Sequence, residues 1–217
     1  MRRMLESSSP EIFKLFFSRK NVMQCTVLGF NNSIYGKQPR ALCIGNTHLY
    51  SHPFADGIRL LQTTICINEM TAVLNELNSR GFDSIPILCG DFNSLPDSGA
   101  YRFAVGEFIR YNDSSWEVSG TGGHKTTHVD RMAGMDLSHY LSLASAVGTP
   151  DYTHFVSKFS GCIDYIFYDK NKLKVDSYLS LPDDEVVKEN VALPSVCFPS
   201  DHISLVADFS AKHDLIK

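Results

Sequence analysis

Apolar residues fall into short runs along the chain, separated by polar segments bearing glycine and proline, and one long stretch has helical spacing. In that stretch Ile58, Leu61, Ile65, Met70, Val73, Leu74 and Leu77 recur near every 3.6 residues, which predicts a helix over 58–77. Arg80-Gly81 supplies a stop. The runs Ala41-Leu42-Cys43-Ile44 and Ile85-Pro86-Ile87-Leu88-Cys89 flank it and read as strands. If those two strands are parallel neighbours, the connection between them is a right-handed crossover. Upstream, Val22–Phe30 alternates loosely and reads as another strand, and Asn31–Pro39, with Gly36 and Pro39, as a hairpin-like connection. Ser7-Ser8-Ser9-Pro10-Glu11 has the chemistry of a helix start, and Ile12, Leu15 and Phe16 share one face of that helix.

The second half continues the alternation. Pro96-Asp97-Ser98-Gly99 is a turn leading into a short helix with Tyr101, Phe103, Ala104 and Val105. Asn112–Arg131 is polar and glycine-bearing and reads as a mobile surface loop. Leu137–Ala146 is expected to be helical. Asp151–Phe155 reads as loop, Gly161–Phe167 and Leu173–Leu181 as strands, Asp183-Asp184-Glu185 as a solvated acidic cluster and Pro194–Pro199 as irregular chain. A last strand is expected over Ile203–Phe209. The class is α/β, without internal repeats or low-complexity tracts.

Composition narrows the picture only modestly. The 217 residues suffice for one domain with a real core, or two small ones. With 43% hydrophobic and 20% charged residues the chain has the balance of an ordinary soluble domain. A net charge of −4 argues against a basic coat for nucleic acid, yet leaves room for a local basic groove around a metal. No run approaches the ~20 apolar residues of a membrane span. None of the six cysteines forms a C-x-x-C pair, and most lie in apolar runs, where a thiol behaves as a small hydrophobe. That usage points to a reducing, intracellular compartment. Met1-Arg2-Arg3-Met4-Leu5-Glu6 has neither a signal-peptide apolar core nor the extended basic character of a transit peptide.

Candidate chemistry gathers at strand ends. The run Ile85–Cys89 stops at Gly90, which lets the chain turn and delivers Asp91 and Asn93 just beyond the strand. Ligands of α/β sheets bind beyond the carboxyl ends of strands. A carboxylate and an amide there suit Mg²⁺ or Mn²⁺, although a solvated turn closed by an Asx hydrogen bond explains the same residues. Three more runs carry an acid or a histidine: Asn46-Thr47-His48, Asp164 within Cys162–Tyr168, and Ser200-Asp201-His202. Four such runs in one chain suggest a shared rim. Histidine paired with carboxylate suits proton transfer, or donation to a phosphate oxygen, near neutral pH. Together His48, Asp91, Asn93, Asp164, Asp201 and His202 point to metal-assisted phosphodiester hydrolysis. The competing account makes the histidines satisfied core residues and the aspartates turn formers. Arg59 and Gln62, near the start of the long helix, either face a phosphate or are simply solvated. His124 and His128 have zinc-like spacing, but Gly120, Gly122 and Gly123 argue against a helix there.

These residues also carry a resemblance. Asn46-Thr47-His48-Leu49, Gly90-Asp91-Phe92-Asn93, Asp164-Tyr165-Ile166 and Pro199-Ser200-Asp201-His202 resemble, in order, motifs of the endonuclease/exonuclease/phosphatase superfamily. Asn46–Gln62, Gly161–Asp169 and Ala192–Asp208 are similar to the 2′,5′-phosphodiesterase 12 branch of its deadenylase-like group, beside the Ccr4, nocturnin and Angel proteins. Ala192-Leu193-Pro194-Ser195-Val196 weighs most toward that branch, and the likeness runs over Ala41–Phe209.

The resemblance implies a four-layer α/β sandwich, two packed mixed sheets flanked by helices. It implies a Mg²⁺-dependent phosphodiesterase and 3′-5′ exoribonuclease acting on 2′,5′-linked oligoadenylate and on poly(A) RNA. A poly(A) deadenylase of the Ccr4/nocturnin type is the alternative. By the same resemblance Asp91 is the metal-linked acid/base that activates water, Asn93 supports metal and water, and Asp201 lies at the metal rim. His48 donates to the phosphate, Asp164 orients His202 against the scissile phosphate, and Asn46 joins the substrate contacts. Relatives carry an earlier half with an Asn and a metal-binding Glu, whereas about forty residues precede the Asn-Thr-His motif here. The expectation is therefore the C-terminal half of the domain over residues 1–217, its motif-bearing core at about 41–210, with weakened metal binding. A remnant that only binds RNA or protein is the reading from another class. The compartment implied is mitochondrial or cytoplasmic.

Overall fold

The computed structural model describes residues 10–30, 39–119 and 129–212. In chain order the elements are α1 (Pro10–Phe17), β1 (Met23–Phe30), β2 (Arg40–His48), α2 (Asp56–Ser79), β3 (Asp83–Asp91), α3 (Gly99–Gly106) and β4 (Phe108–Ile109). A 3₁₀ turn (Ser114–Trp116) precedes β5 (Glu117–Ser119), β6 (Val129–Arg131), β7 (Leu137–Ser138) and β8 (Leu143–Ser145). Then come β9 (His154–Val156), β10 (Phe159–Gly161), β11 (Asp164–Asp169), β12 (Leu173–Tyr178), α4 (Asp184–Lys188) and β13 (Ala207–Ala211).

Five strands form one mixed sheet in the order β1-β2-β3-β11-β8. Only β2 and β3 are parallel, and α2 connects them as the spacing predicts. The helix lies on the face of β2 that presents Ala41, Cys43, Gly45 and Thr47. It comes so close that a Cβ on Gly45 would meet the Met70 methyl at 2.7 Å, so glycine is needed for that approach. Ile58, Leu61, Met70 and Leu74 are buried as expected, joined by Leu60 and Ile67. Ile65 is instead 36% exposed, because the first turns of α2 are enclosed between the sheet and α3 and bury a different set of residues.

A mixed sheet flanked by helices is thus the architecture. Besides this sheet the described residues form four two-stranded pairs, β9–β10, β12–β13, β4–β7 and β5–β6, and the β12–β13 pair reaches the main sheet through Phe209 and Tyr168, ring centroids 5.2 Å apart.

Several segments depart from their sequence patterns. Leu137–Ala146 is not a helix: β7 pairs with β4, and β8 pairs with β11 as the sheet's outer strand. Leu141 and Leu143 alternate in strand fashion, and available sheet edges outweigh local propensity. Asn112–Arg131 is not simply loop, since β5 and β6 pair and Trp116 is fully buried, its indole N–H donating to the Arg110 carbonyl at 2.9 Å. His124 and His128 lie outside the described residues, as do Ser7–Ser9 and most of the β1–β2 connection. Asp183, Asp184 and Glu185 are exposed, as a solvated acidic cluster should be, and Asp184 in addition opens α4, accepts from the Tyr152 hydroxyl at 2.5 Å and pairs with Lys188. The last strand begins only at Ala207. Before it, Ile203 N–H donates to Thr153 O and Phe155 N–H to Asp201 O, which ties this segment to β9.

Candidate active site

Strand β3 does not turn at Gly90 but runs on to Asp91. Gly90 sits at φ +137, and a Cβ there would lie 1.8 Å from the Thr47 carbonyl oxygen, so no other residue allows β2 and β3 to stay together to their ends. The turn falls at Asn93, φ 48, a left-handed conformation that asparagine tolerates. Register does the rest: His48 on β2 and Asp164 on β11 both stand opposite Asp91.

The result is one connected polar cluster. Asp91 Oδ1 accepts from the Asn93 backbone N–H at 2.8 Å, so the Asx turn and the candidate site are the same structure. Asp91 Oδ2 lies 3.3 Å from His48 Nε2 and 3.8 Å from His202 Nε2. His202 Nδ1 lies 2.9 Å from Asp164 Oδ2, as a carboxylate orienting an imidazole would require. The Asn93 side-chain amide donates to Leu49 O at 3.0 Å, and among the described residues its Oδ1 accepts no hydrogen bond. A hollow of about 420 Å³ opens over this group, lined by Cys89, Asp91, Asp164, Ile166, His202 and Leu205. Asn46 lies beside His48 on the exposed face of β2, in a separate hollow of about 390 Å³ with Lys20 and Gln24. A larger hollow of about 490 Å³, lined by Phe16, Phe17, Ile65 and Val73 among others, contains none of His48, Asp91, Asp164 or His202.

Burial raises the Asp91 carboxyl above the usual carboxylate range, and the neighbouring Asp164 charge adds to the rise. The Asn93 N–H and the two histidines offset this only in part. Burial, the largest single effect on His202, lowers its pKa, and the hydrogen bond to Asp164 opposes it. With the added charges of Asp164, Asp91 and Asp201, the imidazole stays protonated to higher pH than usual.

Two residues in a stretch whose sequence reads as loop, Thr153 buried and His154 partly buried, complete the site. Thr153, with no exposed surface, donates from its hydroxyl to Asp164 Oδ2 at 2.7 Å and accepts from the backbone N–H of Ile163 and of Asp164, both at 3.0 Å. His154 Nε2 lies 3.2 Å from Asp201 Oδ2, and its ring packs edge-on against His202 at 4.5 Å between centroids. The sequence held one signal for them: Thr153-His154 repeats the Thr47-His48 dipeptide. Asp201 therefore keeps company with His154 and His202 rather than with Asp91 and Asn93. This carboxylate is held below its ordinary value: slight burial raises it, but its own backbone N–H and His154 outweigh that effect. Arg59 and Gln62 neither face a phosphate nor dissolve in water. Arg59 is buried, bonded to the carbonyls of Tyr50, His52 and Pro53 and to Asp56, while Gln62 bonds Tyr50 N–H and Asn21.

The donor chemistry fits a hard divalent cation. Asp91, Asp164 and His202 offer ligand atoms within 4.8 Å of one another, and Asn93 Oδ1 is a further neutral oxygen. The Asp164 charge raises the proton affinity of Asp91, and a cation between the two carboxylates would relieve that repulsion.

Residues 49–202 match the Endonuclease/Exonuclease/phosphatase family. The chain belongs to this family. Human 2′,5′-phosphodiesterase 12 is 37% identical over 204 residues, 94% of this chain and 31% of that protein. The Ccr4 3′-5′-exoribonuclease subunit of the CCR4-Not complex from Yarrowia lipolytica is 30% identical over 193 residues, 79% of this chain and 26% of that one. Among solved structures, ANGEL2, described as a 2′,3′-cyclic phosphatase, superposes with a TM-score of 0.68 at 26% identity, covering 89% of this chain and 62% of that one. The chain spans about a third of the length of the curated family members it matches. No described helix is long and apolar enough to cross a membrane.

Proposed function

We propose that this chain carries the phosphate-handling half of a Mg²⁺-assisted (or Mn²⁺-assisted) phosphodiesterase that hydrolyses 2′,5′-linked oligoadenylate and trims poly(A) RNA from the 3′ end. The observation that carries the reading is the convergence of His48, Asp91, Asp164 and His202 at adjoining strand ends. The similarity to 2′,5′-phosphodiesterase 12 supports the linkage. Asp91, with its raised proton affinity, receives the proton of the attacking water. His202, protonated and fixed by Asp164, donates from Nε2 to a nonbridging phosphate oxygen. The exposed His48 donates to the same phosphate, and Asn46 contacts the nucleotide beside it. Asn93 Oδ1 and Asp91 would hold the cation, with Asp201 at the rim of the site; when bound, the cation polarises the phosphoryl oxygen. Among the described residues no glutamate joins either group of candidate metal ligands. Weak cation binding and slow turnover are therefore expected of this chain taken alone.

The test is hydrolysis of 2′,5′-linked triadenylate beside 3′,5′-linked oligo(A), with Mg²⁺ and then with EDTA, against an Asp91→Ala control. Mg²⁺-dependent cleavage lost in the control supports the reading, and the faster substrate separates the 2′,5′-phosphodiesterase from a Ccr4-type deadenylase. No cleavage of either substrate by folded chain would refute catalysis by this chain and favour a role in RNA or protein binding.

A further inference from the structure

His154 is not needed for the reaction above, yet its side chain is only 13% exposed beside the site, and its Nδ1 finds no partner among the described residues. Its Nε2, Asp201 and His202 form a second group of potential ligand atoms, all within 4.8 Å of one another. The two groups share His202 but differ in chemistry. The Asp91 side is rich in oxygen, whereas this one offers two imidazoles and one carboxylate.

We propose that His154, Asp201 and His202 form a site for a zinc-class divalent cation, separate from the hard-cation site at Asp91 and Asn93.

Three features support it. Two imidazole nitrogens and a carboxylate with an open fourth position are a zinc donor set, whereas Mg²⁺ prefers oxygen. Tetrahedral bonds of 2.0–2.1 Å place neighbouring ligand atoms about 3.3 Å apart, and His154 Nε2 and Asp201 Oδ2 are already 3.2 Å apart. Third, a metal-bound imidazole is normally oriented by a hydrogen bond from its other nitrogen to a carboxylate. His202 has that arrangement, Nδ1 on Asp164 at 2.9 Å, which leaves Nε2, 3.8 Å from Asp91 Oδ2, as the ligand atom it offers. The backbone holds the ligands together, because His154 and His202 form a β-bridge. The Asp201 side chain is 46% exposed and can swing to complete the geometry. If the phosphodiesterase reading holds, zinc here takes His202 Nε2 away from the phosphate, so the cation inhibits.

The test measures occupancy, not turnover, and so stands apart from the cleavage assay. Zn²⁺ is titrated calorimetrically into the full chain, and Co²⁺ is added as a spectroscopic stand-in. The expected result is one cation per chain, visible Co²⁺ bands without thiolate charge transfer, and no displacement by millimolar Mg²⁺. His154→Asn and Asp201→Asn should each weaken binding about tenfold or more. If His154→Asn does not fold, Asp201→Asn, at a half-exposed side chain, carries the test. Unchanged affinity in a folded variant, a thiolate band pointing to Cys25 and Cys43, whose sulfurs lie 3.4 Å apart between β1 and β2, or ready displacement by Mg²⁺ would each overturn the proposal.

Discussion

Thr153→Val removes one hydroxyl and keeps the side-chain shape, and its effect can be worked out from the contacts. The hydroxyl accepts from two N–H groups, Ile163 in a buried setting and Asp164 in a partly buried one, and donates to the Asp164 carboxylate. A buried donor left without a partner costs about 1–3 kcal/mol, and a partly buried hydrogen bond about 1 kcal/mol. The expected loss is therefore about 2–4 kcal/mol, large against the 5–15 kcal/mol of a typical domain. Urea unfolding followed by fluorescence reads it directly: with a slope of about 2 kcal/mol per M, the midpoint falls by about 1–2 M. Thr153→Ser is the control. It keeps all three hydrogen bonds and loses one methyl, about 0.8 kcal/mol. Cleavage should fall in the valine variant as well, because Asp164 loses the donor that fixes it under His202. A folded Thr153→Val within about 0.5 kcal/mol of the parent would show that the hydroxyl does not organise the site, and the reasoning would fail.

Other perturbations test the same structure elsewhere. His139 is buried and satisfied as a neutral ring, Nε2 on Phe103 O at 2.8 Å and Nδ1 accepting from Leu141 N–H at 3.1 Å, and burial holds its pKa below the ordinary 6.5. Its contribution to stability is thus complete above pH 6.5 and is lost as pH falls toward the folded value; stability measured from pH 7.5 to 5 should decline more in the parent than in His139→Gln. Arg59→Met leaves three backbone carbonyls and the part-exposed Asp56 without their donor and should cost about 1–3 kcal/mol in denaturant unfolding, with Arg59→Lys recovering less than half because one ammonium cannot replace the fork. Trp116, the sole tryptophan, is fully buried, so its emission should be blue-shifted when folded and move red on unfolding; Trp116→Phe loses the bond to Arg110 O and should cost about 1–3 kcal/mol. Gly90→Ala should destabilise strongly and abolish cleavage, since its methyl would strike the Thr47 carbonyl; a stable, active variant would contradict the close approach of β2 and β3.

The two strands and the helix between them were legible because apolar periodicity there agrees with the tertiary environment: Ala41–Ile44 and Ile85–Cys89 lie within β2 and β3, and 58–77 within α2. Where the environment overrides local pattern, the reading failed. Leu137–Ala146 has enough apolar residues for a helix, but sheet edges at β4 and β11 recruit it. Trp116 sits in a polar, glycine-bearing stretch whose composition hides one buried anchor. Arg59 shows a limit of another kind, since periodicity on a helix does not tell a solvated cation from one bonded inward to a loop.

The candidate residues stand out one by one in the sequence, as strand-end acids and histidines and through a family resemblance, but their partnerships do not. Asp91 meets Asp164 only because β11 pairs with β3 in one register, and a slip of one residue would put Tyr165 opposite Asp91 and turn Asp164 to the other face. His154 reaches Asp201 across 47 residues of chain, through a β-bridge whose partner, His202, sits in a segment that reads as regular strand and is not one. Side chains that bear chemistry are visible in a sequence. Which of them come within reach of one another is decided by register and by irregular backbone, and so the proposed second cation site turns on His154, the least conspicuous of the group in the sequence.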